Sequence, residues 1–206
     1  MNDLRQRAPA VERNRDPIVE VLRRVLPERG LALEIASGSG EHAIYFAQAF
    51  SHLVFLPSDP DENARNSIAA WIGDSKPPNI LAPIALDAAA ASWPVENADA
   101  IICINMTHIS PWVATEGLFK GAGRLLASGA PLYLYGPFKR GGAHTAESNQ
   151  GFDDWLHGNN PQWGVRDLEL VIDCAATNGF SGPEIVEMPA NNLSLLFRRR
   201  WVRGVA

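Results

Sequence analysis

The residues able to do chemistry in this chain are a glycine-rich turn and three carboxylates spaced around it. Gly38-Ser39-Gly40-Glu41-His42-Ala43 has the composition of a turn whose backbone comes close to a ligand and aims unpaired amides at it. Taken alone, the turn also satisfies the G-x-G-x-x-G/A dinucleotide pattern. Glu34 stands just before it, Asp59 lies about twenty residues beyond the glycines, and Asp87 follows a further apolar run. An acid at Asp59 can accept hydrogen bonds from both hydroxyls of a ribose. One at Asp87 can accept from an adenine amine, and one at Glu34 can compensate an ammonium group. Such a set describes adenine, ribose and an amino-acid tail, with no pyrophosphate required. Local structure competes for two of the acids: Pro57-Ser58-Asp59-Pro60-Asp61 is also turn and helix-cap chemistry, and Asp87 before Ala88 could cap a helix.

These side chains need elements to position them. Asp16-Pro17 reads as an N-cap with proline at the first helical position, and Ile18, Val21, Leu22, Val25 and Leu26 share one face. That predicts a helix over 16–26 behind a polar arm, 1–15. The apolar run 31–35, the glycine turn and a segment 41–50 with Ile44, Phe46, Ala47 and Phe50 read as strand, loop and helix. Strands are predicted at 52–57, 80–86, 99–104 and 131–135, with helices at 61–73 and 111–127. The unbroken apolar run Ala100-Ile101-Ile102-Cys103-Ile104 suits a parallel strand covered on both faces. The expectation is an α/β chain, one Rossmann-like domain over 1–206, with a mostly parallel sheet and helices on both faces. In such a sheet neighbouring strand ends converge on a crevice, so the three acids could face one ligand. Residues 137–165, rich in Gly, Asn, His and aromatic residues, are too long for a plain connector and suggest a partly ordered lid. Leu168, Val171, Ile172 and Ala175 mark a helix that Gly179 ends. The apolar runs 184–188 and 193–197, joined by Pro189-Ala190-Asn191-Asn192, read as a closing hairpin.

Composition removes several classes of function. The chain has 206 residues, 46% of them hydrophobic, which suffices for one sizeable core. A net charge of -5 argues against nucleic acid as a partner, since phosphate binding needs clustered Lys and Arg. The run Arg198-Arg199-Arg200 follows apolar residues and reads as a solvated strand end. Cys103 and Cys174 suit reduced, buried thiols, and no Cys/His spacing points to a metal. The amino terminus lacks an apolar leader and no run is long enough to span a bilayer, so no membrane partner and a cytoplasmic location are expected. Nothing in the sequence sets the oligomeric state.

With those residues in view, the chain resembles class I S-adenosylmethionine-dependent methyltransferases over roughly residues 30–136. Glu34 to Gly40 looks like their first motif, Asp59 their ribose acid, Asp87-Ala88 their adenine-side acid, and the run from Ala98 to Asn105 their fourth strand. Ala36 stands where many members have glycine. A narrower resemblance covers almost the whole chain: the methyltransferase-like protein 26 group, also called the domain-of-unknown-function 938 family. Its marks are Arg13-Asn14-Arg15-Asp16-Pro17-Ile18, Pro57-Ser58-Asp59, Tyr135-Gly136-Pro137-Phe138, Glu147-Ser148-Asn149, Phe152-Asp153, Trp163-Gly164-Val165-Arg166-Asp167 and Met188-Pro189-Ala190-Asn191-Asn192. The resemblance implies a seven-stranded sheet with an antiparallel last strand. It also implies S-adenosylmethionine as cofactor, held by Glu34, Ala36, Gly38, Ser39, Gly40, Asp59, Asp87, Ala88 and Asn105, and S-adenosylhomocysteine as product.

A sulfonium cofactor carries an activated methyl group, so the protein must chiefly align a nucleophile and exclude water. A base is needed only if the nucleophile must lose a proton. His108, just past the fourth strand, is the first candidate, because that strand end borders the methyl position in the family resembled. Tyr135 could face the acceptor or the sulfonium. Arg13, Asn14 and Arg15 could fold over the site and pair with an anionic acceptor. Phe138, Phe152, Trp155 and Trp163 could supply apolar walls, and Glu147, Ser148, Asn149, Asn191 and Asn192 polar contacts, although Asn191 and Asn192 also suit a hairpin turn. The expectation is a small, polar or carboxylate-bearing acceptor. A nicotinamide-dependent oxidoreductase and a non-catalytic S-adenosylmethionine-binding module remain as alternatives.

Overall fold

The computed structural model describes residues 3–201. In chain order it contains α1 (Pro9–Leu22), β1 (Gly30–Ile35), α2 (Glu41–Ala49), β2 (Leu53–Pro57), α3 (Glu62–Ser75), β3 (Ala100–Ile104), α4 (Trp112–Leu125) and β4 (Pro131–Gly136). There follow β5 (Phe138–Arg140), β6 (Ala143–His144), α5 (Glu147–Asn159), β7 (Arg166–Asp167), α6 (Leu168–Thr177), β8 (Phe180–Met188) and β9 (Asn192–Arg199).

Strand alternation builds two cores on one sheet. Successive side chains of β1 and β3 point to opposite faces. Leu33, Ile35, Ile101 and Cys103 therefore pack with Phe119 of α4 and Val171 of α6, while Ala32, Ala100 and Ile102 pack with Ile18 of α1 and Phe46 of α2. The sheet has the order β2-β1-β3-β4-β9-β8. β9 is antiparallel to both of its neighbours, and the pairs from β2 through β4 are parallel.

Among the described residues this sheet has six strands where seven were expected. Residues 79–84 do run beside β2, but only through isolated bridges, Phe55 to Ile80 and Ser58 to Ile84. Pro83 interrupts them, since a proline has no amide with which to continue a ladder.

Two further expectations are corrected. α1 begins at Pro9, not Asp16, and Pro17 lies within it. Pro9 occupies the first helical positions, where a missing amide costs nothing. The buried face Val11, Ile18, Val19, Val21 and Leu22 carries the helix past the second proline. Arg13, Asn14 and Arg15 thus belong to a helix and not to an arm. Residues 137–165 are largely regular: β5 and β6 pair and, with β7 just beyond the segment, form a small three-stranded sheet, and α5 packs beside β6. Its hub is Asp153, whose carboxylate meets Lys139 Nζ at 2.7 Å and His144 Nε2 at 3.2 Å and accepts from the Val165 amide at 2.6 Å. Asp153 is buried, and although that desolvation pushes the other way, Lys139, the Val165 amide and the nearby His157 hold its carboxyl below the usual carboxylate range. The arginine run is bound as well. Arg199 Nη1 donates to the Gly179 carbonyl at 2.8 Å, satisfying backbone at the end of α6.

Candidate active site

The C-terminal ends of β1, β2 and β3 open onto a cavity of about 290 Å³. Ala36, Gly38, Asp59, Asp87 and Ala88 line it, beside apolar walls from Leu86, Ile104, Met106 and Ile109. A strand-to-helix loop builds its floor. Ala36 has φ 56°, a left-handed conformation that costs a side-chain-bearing residue about 1 kcal/mol, which explains why glycine suits this position. Gly38 shares that conformation at φ 56°, and its amide donates to Asp59 Oδ2 at 3.0 Å. Gly40 has φ 90° and sits so close to α3 that a Cβ there would lie 2.8 Å from the Ile68 Cα.

Asp59 thus has two functions. It ties the loop through Gly38 and accepts the Asp61 amide at 2.9 Å, while its carboxylate borders the cavity. Asp61, not Asp59, is the N-cap of α3, accepting from the Ala64 amide. Asp87 is exposed, accepts the Ala89 amide at 2.8 Å and contributes to the cavity wall. Glu34 is 2% exposed, and its Oε2 meets no hydrogen-bond partner among the described residues. Burial pushes its carboxyl up to about 7; a hydrogen bond from Ser37 opposes that rise and the nearby Asp59 charge adds to it. An unpartnered buried carboxyl is costly, so this position suits a cationic or donating ligand group.

Asn105, with φ 60°, sits where β3 and β4 end, and its amide donates to the Tyr135 carbonyl at 2.8 Å. Tyr135 lies next to α1: burial raises its hydroxyl, opposed by a hydrogen bond from Asn14 and by the Arg13 charge. Asn14 is buried, with Oδ1 2.9 Å from His42 Nε2. Arg13 is exposed at this edge, while Arg15 turns away to lie with Cζ 4.6 Å over the Tyr45 ring.

None of Asn105, Tyr135, Asn14 and Arg13 lines the cavity itself, and neither do the remaining acceptor-side candidates. His108 is 0% exposed and not part of the cavity lining; it is wedged against Phe138, ring centroids 4.9 Å apart, and under Gly136, where a Cβ would fall 2.3 Å from its Nε2. Burial first, then the Arg166 charge, hold its imidazole down to about 3. An enclosed group so weakly basic is a poor proton acceptor at neutral pH. Phe152 stacks on the exposed Trp155, centroids 5.9 Å apart. Ser148, Asn149 and Asn191 satisfy one another: Asn191 Nδ2 donates to Ser148 Oγ at 3.1 Å, and Asn149 Nδ2 donates to the Asn191 carbonyl at 3.0 Å. Asn192 shapes the hairpin turn by donating to the Pro189 carbonyl.

Sequence reasoning passed over the glycines of α4. A Cβ at Gly117 would lie 2.1 Å from the Ala88 carbonyl oxygen, and one at Gly121 would lie 2.3 Å from the Trp93 ring. Their i, i+4 spacing on a helix was the available signal, since it strips one face of side chains. It lets the segment carrying Asp87 and Ala88 settle against the helix.

A family profile described as a protein of unknown function, DUF938, matches residues 5–199. The chain belongs to DUF938. Solved structures resemble this DUF938 chain in fold. An O-methyltransferase family protein from Burkholderia thailandensis matches with a TM-score of 0.75 and 13% identity, over 90% of this chain and 56% of its own. The YcgJ protein of Bacillus subtilis matches with a TM-score of 0.69 and 10% identity, over 93% of this chain and 100% of its own. CalO1, a methyltransferase in calicheamicin biosynthesis solved in its SAH-bound form, matches with a TM-score of 0.69 and 11% identity, over 86% of this chain and 52% of its own. The DUF938 chain therefore spans little more than half the length of the first and third of these proteins.

Proposed function

We propose that the cavity binds S-adenosylmethionine and that the protein transfers its methyl group to a small acceptor. The observation that carries this reading is the arrangement of acids: Asp59 and Asp87 on the wall of one cavity, and Glu34 buried in the strand below with an unpartnered oxygen. Asp59 would take the ribose hydroxyls, Asp87 with Ala88 the adenine edge, and Glu34 the ammonium of the amino-acid tail. When bound, the cofactor supplies an activated methyl group on sulfur. The fold shared with methyltransferase structures, one of them SAH-bound, supports the same reading.

A dinucleotide fits less well. Its pyrophosphate would need the N-terminus of α2, but Glu41 stands in that first turn, and its Oε2 already accepts from Ser39 Oγ at 3.0 Å. A fixed carboxylate there repels phosphate.

On the acceptor side, Tyr135, Asn14 and Arg13 form the polar edge next to the ends of β3 and β4. Neither the enclosed His108 nor the raised Tyr135 hydroxyl is suited to take a proton near neutrality. The reading therefore favours an acceptor whose nucleophile arrives already ionised, such as a carboxylate paired with Arg13. Calorimetric titration with S-adenosylmethionine, S-adenosylhomocysteine and NADH tests the cofactor. Binding of the first two is expected; tight NADH binding with no response to the others would overturn the reading. Incubating methyl-labelled cofactor with pooled metabolic acids tests the acceptor, and labelled ester is the expected product.

A further inference from the structure

Residues 3–8 cross the outer face of α3 and reach the glycine loop without lining the cavity. Arg5 Nη1 pairs with Asp74 Oδ2 at 2.6 Å, and the guanidinium carbons of Arg5 and Arg7 each lie 5.0 Å from the Trp71 ring centroid. Trp71 Nε1 donates to the Gln6 carbonyl at 3.0 Å. On the inner side, the Gln6 amide donates to Ser67 Oγ at 2.7 Å, and Ser67 Oγ donates onward to the Ser39 carbonyl at 2.7 Å. The Ala8 amide donates to Glu41 Oε2 at 2.7 Å, the same oxygen that accepts from Ser39 Oγ at 3.0 Å. Two separate chains of hydrogen bonds thus join this segment to one residue, Ser39.

Ser39 stands between Gly38 and Gly40, whose φ values are 56° and 90°. Glycines on both sides leave its peptide free to pivot, more than any other pair of neighbours would. Fixing both its carbonyl and its hydroxyl removes that freedom before a ligand arrives. The Gln6 amide also occupies a lone pair of Ser67, so the Ser67 proton is directed at Ser39, and each bond in such a chain strengthens the next. Ser67 is 0% exposed, so water does not compete for either bond.

We infer that residues 3–8 are a strap that preorganises the nucleoside loop, with Ser67 and Glu41 as positioning residues acting on Ser39 from outside the cavity. The inference rests on the cavity being the cofactor site. Affinity for S-adenosylhomocysteine is measured by calorimetry in the full chain and in Trp71→Ala, Ser67→Ala and the double variant, with thermal melts confirming folding. Trp71 holds the strap through Arg5, Gln6 and Arg7 and makes no hydrogen bond to the loop among the described residues. Its loss is expected to weaken binding about tenfold, as is the loss of Ser67, with the double variant no weaker than the worse single one. Unchanged affinity in folded Trp71→Ala, or additive losses, would overturn the strap. If the wild-type chain fails to bind S-adenosylhomocysteine, the cofactor reading falls, and hydrogen exchange of the Gly40 amide in the ligand-free protein still decides the coupling. That amide donates to the Ser37 carbonyl at 3.1 Å. Faster exchange in Trp71→Ala supports the strap, and equal rates refute it.

Discussion

Among single residues, Glu34 and Asp59 show how one side-chain type takes different roles. Asp59 accepts from two backbone amides and is held in place at the cavity wall, whereas Glu34 is buried with an oxygen to spare. Ionising Glu34 without a ligand is unfavourable, which links stability to pH. Below about 4.5 both folded and unfolded states hold the proton; between there and about 7 only the unfolded state releases it. Through this group the ligand-free protein therefore loses stability as pH rises through that window, by about 3 kcal/mol in full. Glu34→Gln should flatten that slope and melt higher than wild type at pH 8. A cofactor ammonium pairing with the ionised form should bind more tightly as pH rises through 7 in wild type and not in Glu34→Gln, read by calorimetry. A flat wild-type binding profile would remove Glu34 from the site. The positions of these acids were legible in the sequence as spacing relative to the glycines. The enclosure of His108 was not, because it depends on Phe138, Gly136 and Arg166 arriving from other elements.

The elements show why the loop needs support from both sides. Between β1 and α2 the chain holds Ala36, Gly38 and Gly40 at positive φ, and no regular ladder spans them. Asp59 from β2, Ile68 and Ser67 from α3, and the strap supply what the loop lacks. The opposite wall depends on α4. Glycine inside a helix costs roughly 1 kcal/mol relative to alanine, so Gly117 is explained by contact and not by propensity. Gly117→Ala would drive a Cβ to 2.1 Å from the Ala88 carbonyl oxygen and must displace the Asp87-Ala88 segment. The expected result is a loss of about 1–3 kcal/mol in denaturant unfolding together with weaker S-adenosylhomocysteine binding. Gly123→Ala, whose nearest foreign atom is 3.1 Å away in a region remote from the cavity, should leave binding unchanged. The alternation of strands and helices was readable from apolar periodicity. The regular structure of 137–165 was hidden because short strands such as β6, of two residues, leave no periodic signal and depend on Asp153 gathering Lys139, His144 and Val165.

For the whole molecule, buried histidines oppose Glu34 on the pH axis. Burial lowers His42 to about 4 and His108 to about 3 from 6.5. Their contribution is complete above the unfolded value and is lost as pH falls from about 6.5 through those folded values, since only the unfolded chain takes up the protons. Stability of the ligand-free chain should therefore peak near pH 6 to 7 and fall on either side. His42→Gln with His108→Gln should make the acid limb of the melting profile shallower; an unchanged limb would show that other groups control it. The fold itself follows from patterning. Continuous apolar strands, a glycine turn and alternating helices determined an α/β chain with a crevice at the strand ends, and the spacing of the acids raised the nucleoside reading proposed for it, because these signals are local and periodic. Only the tertiary structure decided that α1 starts at Pro9, that Pro83 leaves the sheet at six strands, that His108 is walled off, and that the amino-terminal residues reach Ser39. Each depends on contacts between residues far apart in the chain, where burial and unpartnered polar groups, not spacing, set the outcome.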